Sequence, residues 1–286
     1  MKTFLGTFIN DPEIFTLDLS KSNVDSLYIN NIVKENSHLL YSNNRKYLAL
    51  YCDLYFQPVV DVETQEVIFF EALLRNKPTR AGLQNLSMLL DYLHSCPVTH
   101  SEFYEWKIEK IAKILRENTY PVSDKAVSIN VRPSNWVGPN LVKTFQNVFK
   151  AYNLSPDRLI IEVTEDYNIK NYPIFIESLN RLNEIGFKLA VDDYGAGSAT
   201  YTIFDNVDFD IMKIDKHFVN MIEKCPKNRI LLENIVHLAK SLDMKTVAEG
   251  VESYSVSEIL KFVGVDYVQG YYIERPLILS ELKDKY

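Results

Sequence analysis

The sequence predicts an α/β protein, and within that class a (β/α)8 TIM-like barrel with an antiparallel first strand. From residue 126 onward, short apolar runs typical of strands alternate with amphipathic stretches typical of helices. The inner strands are continuous apolar runs, as expected where both faces of a sheet are covered. A short turn at residues 61–65 joins the first two strands, which makes them an antiparallel hairpin. A doubly wound open sheet is the alternative.

The predicted elements follow in chain order. Strands are expected at residues 54–60, 66–74, 126–131, 159–163, 188–191, 209–214, 245–248 and 267–273. Helices are expected at residues 83–95, 101–118, 140–152, 173–185 and 255–263, with a short piece near 199–204 and a long region that ends at 242. We expect Pro226 to interrupt that long region, because proline breaks helix hydrogen bonding. These elements assign residues 48–286 to the barrel.

Residues 1–47 precede the predicted barrel and are rich in Asn and Ser. We interpret this segment as an N-terminal extension that packs on the barrel. A regulatory or dimer-forming arm is the alternative. The segment is too short for a separate sensory domain of usual size.

The composition limits the partners. The chain has 286 residues and a net charge of −7, without a long run of Lys and Arg, so we expect neither DNA or RNA binding nor an anionic membrane surface. An acidic protein that acts on an anionic substrate needs metal cations between the two. Three scattered cysteines form neither a disulfide framework nor a zinc pattern, which fits a reducing compartment. No apolar run approaches a membrane span, so we expect a cytoplasmic protein.

Almost every predicted strand ends in a carboxylate, a carboxamide or a lysine. In a parallel barrel these ends meet at one mouth, where barrel enzymes keep their active sites. The residues at these ends are Gln57, Glu71, Asn130, Glu162, Asp192, Asp193, Lys213, Glu249 and Gln269. Five of them are carboxylates, and these would repel one another strongly unless a bound cation compensates their charge.

Oxygen ligands of this kind select hard ions such as Mg²⁺ or Mn²⁺, and two such ions form a clamp for displacement at phosphorus. Lys213 could then orient the attacking water or stabilise charge on the phosphate. Its alternative role is a salt bridge to Asp210 or Asp215. For Asp192 and Asp193, the alternative is an ordinary strand-to-loop turn in which an aspartate caps the next helix.

Eight short motifs occur in a fixed order along residues 47–277. They are FQPVV at 56–60, EALLR at 71–75, IN at 129–130, EVTE at 162–165, DDYGAG at 192–197, KID at 213–215, AEGVE at 248–252 and QGYY at 269–272. In this order they resemble the motifs of EAL-domain cyclic-di-GMP phosphodiesterases, a family named for the Glu-Ala-Leu present here at residues 71–73. Eight ordered motifs make the resemblance far more specific than any one of them.

The resemblance implies a barrel that hydrolyses cyclic di-GMP to linear pGpG with two Mg²⁺ or Mn²⁺ ions and a water nucleophile, which would lower the level of a bacterial second messenger. The implied metal ligands are Glu71, Asn130, Glu162, Asp192, Asp193 and Glu249, with Asp193 on the second ion. The implied catalytic residues are Lys213, Glu249, Glu71 and Asp192, with Lys213 orienting the water. The implied substrate-binding residues are Gln57, Arg75, Gln269 and Asp193. The guanidinium fork of Arg75 suits a phosphodiester. The resemblance also implies a homodimer through the barrel.

Two further glutamates are implied to support the site. Glu165 would hold the loop after the two aspartates. Glu252 would assist nearby, although a carboxylate that favours a helix N-terminus is the alternative. The chain departs from the family in having Asn76 where a Trp is usual and in the loop at residues 194–200, and neither change removes an implied ligand. A catalytically silent receptor for cyclic di-GMP and a phosphodiesterase for another nucleotide are the alternatives to an active enzyme.

Overall fold

The computed structural model describes residues 52–77, 97–117, 120–132, 139–164, 173–196 and 204–285, together with residues 45, 48, 49, 90, 93 and 94. The chain divides into two compact units, residues 1–53 with 75–103 and residues 54–74 with 104–286. The extension predicted for residues 1–47 lies outside the described residues except for residue 45. Most of the helix predicted at 83–95 and of the short piece near 199–204 lies outside them as well.

Eight strands form a closed barrel in chain order. They are β1 (Cys52–Asp61), β2 (Val67–Asn76), β3 (Ala126–Asn130), β4 (Leu159–Thr164), β5 (Lys188–Tyr194), β6 (Ile211–Ile214), β7 (Lys245–Ala248) and β8 (Tyr267–Val268). Strand β1 pairs antiparallel with β8, whereas neighbours from β2 to β8 pair in parallel. The barrel with an antiparallel first strand is therefore confirmed, and the start of β1 lies beside the C-terminal ends of the other strands.

Seven α-helices occur in the described part of the chain. They are α1 (Pro97–Arg116), α2 (Pro139–Ala151), α3 (Pro173–Ile185), α4 (Lys216–Asn220), α5 (Pro226–Ser241), α6 (Tyr254–Val263) and α7 (Leu279–Lys285). The long region predicted after β6 is two helices, and Pro226 opens the second one, where its missing N–H costs nothing. None of these helices has the length and apolar character needed to cross a bilayer.

The first compact unit contains a small aromatic cluster. The His94 ring lies edge-on to His100 and Phe103, with centroid distances of 5.0 and 5.6 Å. Burial lowers the pKa of His100 to about 4, so its imidazole is neutral at neutral pH. In the same unit, Lys77 Nζ donates to the carbonyl oxygen of Ala49 at 2.6 Å.

Strand β8 is shorter than predicted and ends at Val268. The cause is Gly270, whose backbone runs so close to Val251 that an added Cβ would lie 2.1 Å from the Val251 carbonyl oxygen. The chain therefore leaves the strand there. Leu277 returns to pair with Phe56 of β1 through two backbone hydrogen bonds of 2.7 and 3.0 Å.

An apolar layer formed by six strands packs across the barrel. Its buried members are Val59, Phe69, Ile160, Ala190, Ile211 and Val247. Because side chains alternate between the two faces of a strand, residues two positions further along each strand project to the same side as this layer. The layer thus fixes which residues project into the barrel mouth.

Two aspartates fasten strand starts at the opposite end of the barrel. Asp266, just before β8, accepts hydrogen bonds from Lys245 Nζ at 2.7 Å, Thr246 N at 3.0 Å and Thr246 Oγ1 at 2.8 Å. Asp210, just before β6, accepts one from Leu189 N at 2.9 Å. In each case the residue before one strand binds the start of its neighbour, which holds the parallel register.

We expect Asp266→Ala to lower the free energy of unfolding by roughly 1–3 kcal/mol, because it strips the start of β7 of its acceptor. Burial raises the pKa of Asp266, but the Lys245 ammonium and the Thr246 donors outweigh it and hold the pKa below the ordinary 3.8. A carboxylate whose pKa is lowered in the folded state stabilises the fold fully above pH 3.8, and this contribution is lost as pH falls below 3.8 through the folded-state pKa. Urea unfolding at neutral and acidic pH measures the difference between wild type and variant, which should shrink in acid.

The matched control is Asp284→Ala, the same change at an exposed aspartate in α7. It should leave the unfolding free energy within about 0.5 kcal/mol of wild type. Equal stabilities of the Asp266 and Asp284 variants would contradict the role given to Asp266.

Candidate active site

A polar layer lies directly above the apolar layer, on the side of the barrel mouth. Each polar residue follows a member of the apolar layer by two positions in the parallel strands, and Gln57 precedes Val59 by two in the antiparallel β1. The residues so placed are Gln57, Glu71, Glu162, Asp192, Lys213 and Glu249. Asn130, the last residue of β3, is in register with Glu162 of β4. Hydrophobic periodicity therefore brings these six predicted strand-end residues into one layer.

The centre of this layer is Lys213, whose side chain is 1% exposed. Its Nζ lies 2.7 Å from Glu249 Oε1, 2.8 Å from Asp192 Oδ1, 3.0 Å from Glu162 Oε2 and 3.5 Å from Glu71 Oε2. One ammonium group thus faces four carboxylates from four different strands or strand ends. The alternative salt bridge to Asp210 or Asp215 does not describe this lysine.

Those two aspartates bind other groups. Asp210 pairs with Lys188 Nζ at 2.7 Å. Asp215 accepts a hydrogen bond from His217 N at 2.8 Å and caps α4. Lys213 is therefore committed to the carboxylate layer.

The surplus of negative charge shows in the pKa values. Burial lowers the pKa of Lys213, but the four carboxylates raise it well above its ordinary value. Burial raises the pKa of Glu162 well above its usual range, and the charges of Glu71 and Asp192 add to this effect against the attraction of Lys213. Burial likewise raises the pKa of Glu249 to about 8. One lysine does not neutralise this cluster.

Carboxamides hold Glu71 in place. Gln269 Nε2 donates to Glu71 Oε2 at 2.7 Å, and Asn130 Nδ2 donates to Glu71 Oε1 at 3.1 Å. Gln269 Nε2 also lies 3.3 Å from Gln57 Oε1, and Gln57 Nε2 donates to the backbone oxygen of Glu274 at 3.0 Å. Burial raises the pKa of Glu71, but Lys213 and these donors outweigh it, so its pKa is lowered and Glu71 is ionised.

The adjacent aspartates face one site because the backbone bends between them. Asp193 adopts φ +55°, in the left-handed region, and the register of β5 with β6 shifts between Val191 and Tyr194. This irregularity overrides the alternation that would send Asp192 and Asp193 to opposite faces. As a result, one carboxylate oxygen each from Asp192, Asp193 and Glu249 lies within 4.8 Å of the others.

The turn after the aspartates requires its first glycine. Gly195 has φ +93°, and an added Cβ would lie 2.3 Å from the Phe218 ring. Asp215 N donates to the Tyr194 oxygen at 3.3 Å and ties this turn to the start of α4. Packing against Phe218 of α4 and the hydrogen bond from Asp215 N therefore fix the turn that follows Asp193.

The site fits a hard divalent cation. Its donors are carboxylate and amide oxygens, which suit Mg²⁺, Mn²⁺ or Ca²⁺. Glu162 Oε1 is buried and makes no hydrogen bond of ordinary geometry to the described residues, although buried polar atoms are normally satisfied. Five carboxylates around one lysine leave an excess of negative charge that a cation would compensate.

Two predicted residues, Arg75 and Glu252, are exposed and are not members of this layer. Arg75 is exposed near the end of β2 and belongs to the first compact unit. Glu252 is exposed and lies just before Ser253, which caps α6. Glu165 lies outside the described residues, as does the part of the altered loop from residue 197 to residue 200. The side chain of Asn76 lies outside them too.

One residue near the layer was not predicted from the sequence. Lys107 of α1 is 4% exposed, and its Nζ lies 3.5 Å from the backbone oxygen of Asn130. The available signal was helical spacing, because Tyr104 and Ile111 lie on the same face of α1 and are buried. A lysine between buried apolar neighbours indicates a buried charge.

Comparison of the sequence with protein families gives a match to the EAL domain over residues 51–276. Two relatives from Escherichia coli K12 are the probable cyclic di-GMP phosphodiesterase PdeA, 33% identical over 57% of this chain, and the cyclic di-GMP phosphodiesterase PdeF, 30% identical over 73% of it. The matched regions cover 23% of PdeA and 28% of PdeF. The chain thus spans about a quarter of the length of these two relatives.

Solved structures give the same fold. The PaMucR phosphodiesterase in complex with c-di-GMP superimposes with a TM-score of 0.74 at 25% identity, covering 86% of this chain and 99% of that one. Klebsiella pneumoniae BlrP1, solved as a manganese and cy-diGMP complex, gives a TM-score of 0.68 at 28% identity, covering 79% of this chain and 56% of that one.

We expect Lys213→Met to destabilise the metal-free protein by roughly 3–5 kcal/mol, because it leaves the buried carboxylates without the ammonium group that they share. Removing this positive charge raises the pKa values of Glu71, Glu162 and Glu249, so the loss should be smaller in mild acid, where these groups bind protons. Urea unfolding in the presence of a chelator, at alkaline and mildly acidic pH, measures both effects. Lys227→Met, at an exposed lysine of α5, is the control. A Lys213 variant as stable as this control would refute the central role of Lys213.

Proposed function

Because this chain belongs to the EAL domain family, we propose that it is a metal-dependent phosphodiesterase that hydrolyses cyclic di-GMP to linear pGpG. The observation that supports this most strongly is the buried layer in which Lys213 faces four carboxylates beside the Asp193 carboxylate. The names of PdeA and PdeF and the c-di-GMP complex of PaMucR favour the same substrate. A phosphodiester and an acidic mouth repel each other, so this chemistry needs cations.

We propose that two Mg²⁺ or Mn²⁺ ions bind in this layer. The ligands proposed for them are Glu71, Asn130, Glu162, Asp192, Asp193 and Glu249. Asn130 uses its Nδ2 for Glu71, so its Oδ1 is the atom that could bind a cation. Cations bound here would supply charge neutralisation at the phosphate and a lowered pKa for the attacking water.

Lys213 has a separate role in this proposal. It stays protonated, because the surrounding carboxylates raise its pKa well above the ordinary value. Its ammonium group can hold the attacking water and stabilise negative charge that develops on the phosphate oxygens. Burial and fixed partners orient this group before substrate arrives, which reduces the cost of reorganisation in the reaction.

The remaining residues would bind substrate or support the site. Gln269 orients Glu71 through a 2.7 Å hydrogen bond, and Gln57 in turn contacts Gln269. In this proposal Gln57, Gln269 and Arg75 contact the substrate, while Glu165 and Glu252 support the loops. A homodimer through the barrel belongs to the same proposal and rests on the family resemblance.

We expect Glu71→Ala to abolish cyclic di-GMP turnover, because it removes a ligand and the acceptor of Gln269 and Asn130. Loss of one such group costs roughly 100-fold or more in kcat. The measurement is pGpG formation from cyclic di-GMP with Mg²⁺, with Mn²⁺ and with a chelator, followed by chromatography.

The matched control is Glu66→Ala, at an exposed residue just before β2 on the far side of the barrel. It should turn over cyclic di-GMP like wild type. If wild type binds cyclic di-GMP but forms no pGpG with either metal, the chain is a receptor and not an enzyme. Undiminished turnover by the Glu71 variant would refute the metal assignment.

Lys213→Met should reduce turnover by roughly 100-fold or more while cation affinity is kept or increased, because a positive charge next to the cations is removed. Turnover is measured at saturating Mn²⁺, and Mn²⁺ affinity by calorimetry without substrate. Weakened Mn²⁺ binding together with wild-type turnover at saturating Mn²⁺ would argue that Lys213 only holds the carboxylates together. Lys227→Met serves again as the control.

A further inference from the structure

A second lysine is buried behind the carboxylate layer. Lys107 lies in the middle of α1, and its neighbours on the same helix face, Tyr104 and Ile111, are almost fully buried. An ionised lysine in such a position is costly, because burial disfavours the charged form. The mechanism proposed above gives this residue no task.

The contacts of α1 show where the Lys107 ammonium group lies. Lys107 Nζ lies 3.5 Å from the backbone oxygen of Asn130, and the Tyr104 hydroxyl accepts a hydrogen bond from Arg132 N at 2.9 Å. These contacts hold α1 against the end of β3, one at Asn130 itself and one at Arg132, two residues beyond it. The ammonium group therefore lies next to a proposed cation ligand, on the side of the strand that faces the helix.

The charge of Lys107 acts on the carboxylate layer from there. Burial lowers the pKa of Lys107 to about 8, and Glu162 and Glu71 oppose this shift through their negative charges. The same attraction must favour the ionised carboxylates, because electrostatic interaction between two groups is mutual.

We propose that Lys107 sets the affinity of the carboxylate layer for divalent cations, acting as a fixed buried positive charge that opposes cation binding. The inference rests on the proposed metal site. A cation that binds among the carboxylates adds positive charge near both Lys213 and Lys107, and in a poorly solvated interior this repulsion is weakly screened. When no divalent cation is bound, Lys107 thereby compensates part of the carboxylate charge. It weakens the binding of each divalent cation to the layer.

The test is calorimetric titration of Mn²⁺ into the cation-free full chain at neutral pH, without substrate. Lys107→Met keeps the length of the side chain and removes its charge, and it should lower the Mn²⁺ dissociation constant roughly tenfold. Lys107→Gln keeps an N–H donor for the Asn130 oxygen and should tighten Mn²⁺ binding to a similar extent. Lys113→Met, at an exposed lysine of the same helix, should bind Mn²⁺ like wild type.

The outcomes separate charge from structure. Tighter Mn²⁺ binding by both Lys107 variants supports the proposal, whereas unchanged or weaker binding by correctly folded variants overturns it. A wild-type constant in the Gln variant alone would show that the hydrogen bond matters and the charge does not, which also overturns it. So does failure of both variants to fold, since Lys107 is then needed for the fold itself. If wild type binds no Mn²⁺, the metal site of the proposed function fails first and this inference falls with it.

Discussion

The ion pairs of Lys213 are the constraint on which the barrel mouth depends. Four strands deliver carboxylates to one small volume, and carboxylates packed together without a cation would take up protons or separate. The ammonium group at 2.7–3.5 Å from all four keeps them close together. This one ammonium group compensates their negative charge incompletely, since the pKa of Glu162 and that of Glu249 stay raised. The layer is therefore stable enough to fold and still short of positive charge.

The same alternation of side chains produces stability and chemistry in neighbouring layers of the barrel. The lower layer is apolar and buries Phe69 and Ile160, while the next inward positions are Glu71 and Glu162. A shift of one strand by a single residue would exchange inward and outward faces and move a charge into the core. The aspartates at the other end, such as Asp266, oppose such a shift by fixing strand starts. Register is thus a functional property here as well as a structural one.

The sequence predicts the strand-end residues well, because apolar runs mark buried strands and the residue that ends each run is visible. It predicts less well where backbone geometry departs from a regular strand. The end of β8 at Val268 depends on the close approach of Gly270 to Val251, and the common orientation of Asp192 and Asp193 depends on a positive φ. Neither can be derived from alternation. Lys107 escaped prediction because it reaches the site from a helix, outside the set of strand ends.

The shortness of β8 has a consequence for how the barrel closes. Backbone pairing of β1 with β8 stops at Val60 and Val268, well before the mouth. Beyond that point, β1 and the segment after β8 are joined by the side chains of Gln57 and Gln269, and by the backbone pairing of Leu277 with β1. Because Gln269 also binds Glu71, closure of the barrel and orientation of a proposed metal ligand depend on the same carboxamide. A glutamine is suited to this position, since its amide group donates to two acceptors. It also adds no charge to a layer that already carries an excess of negative charge.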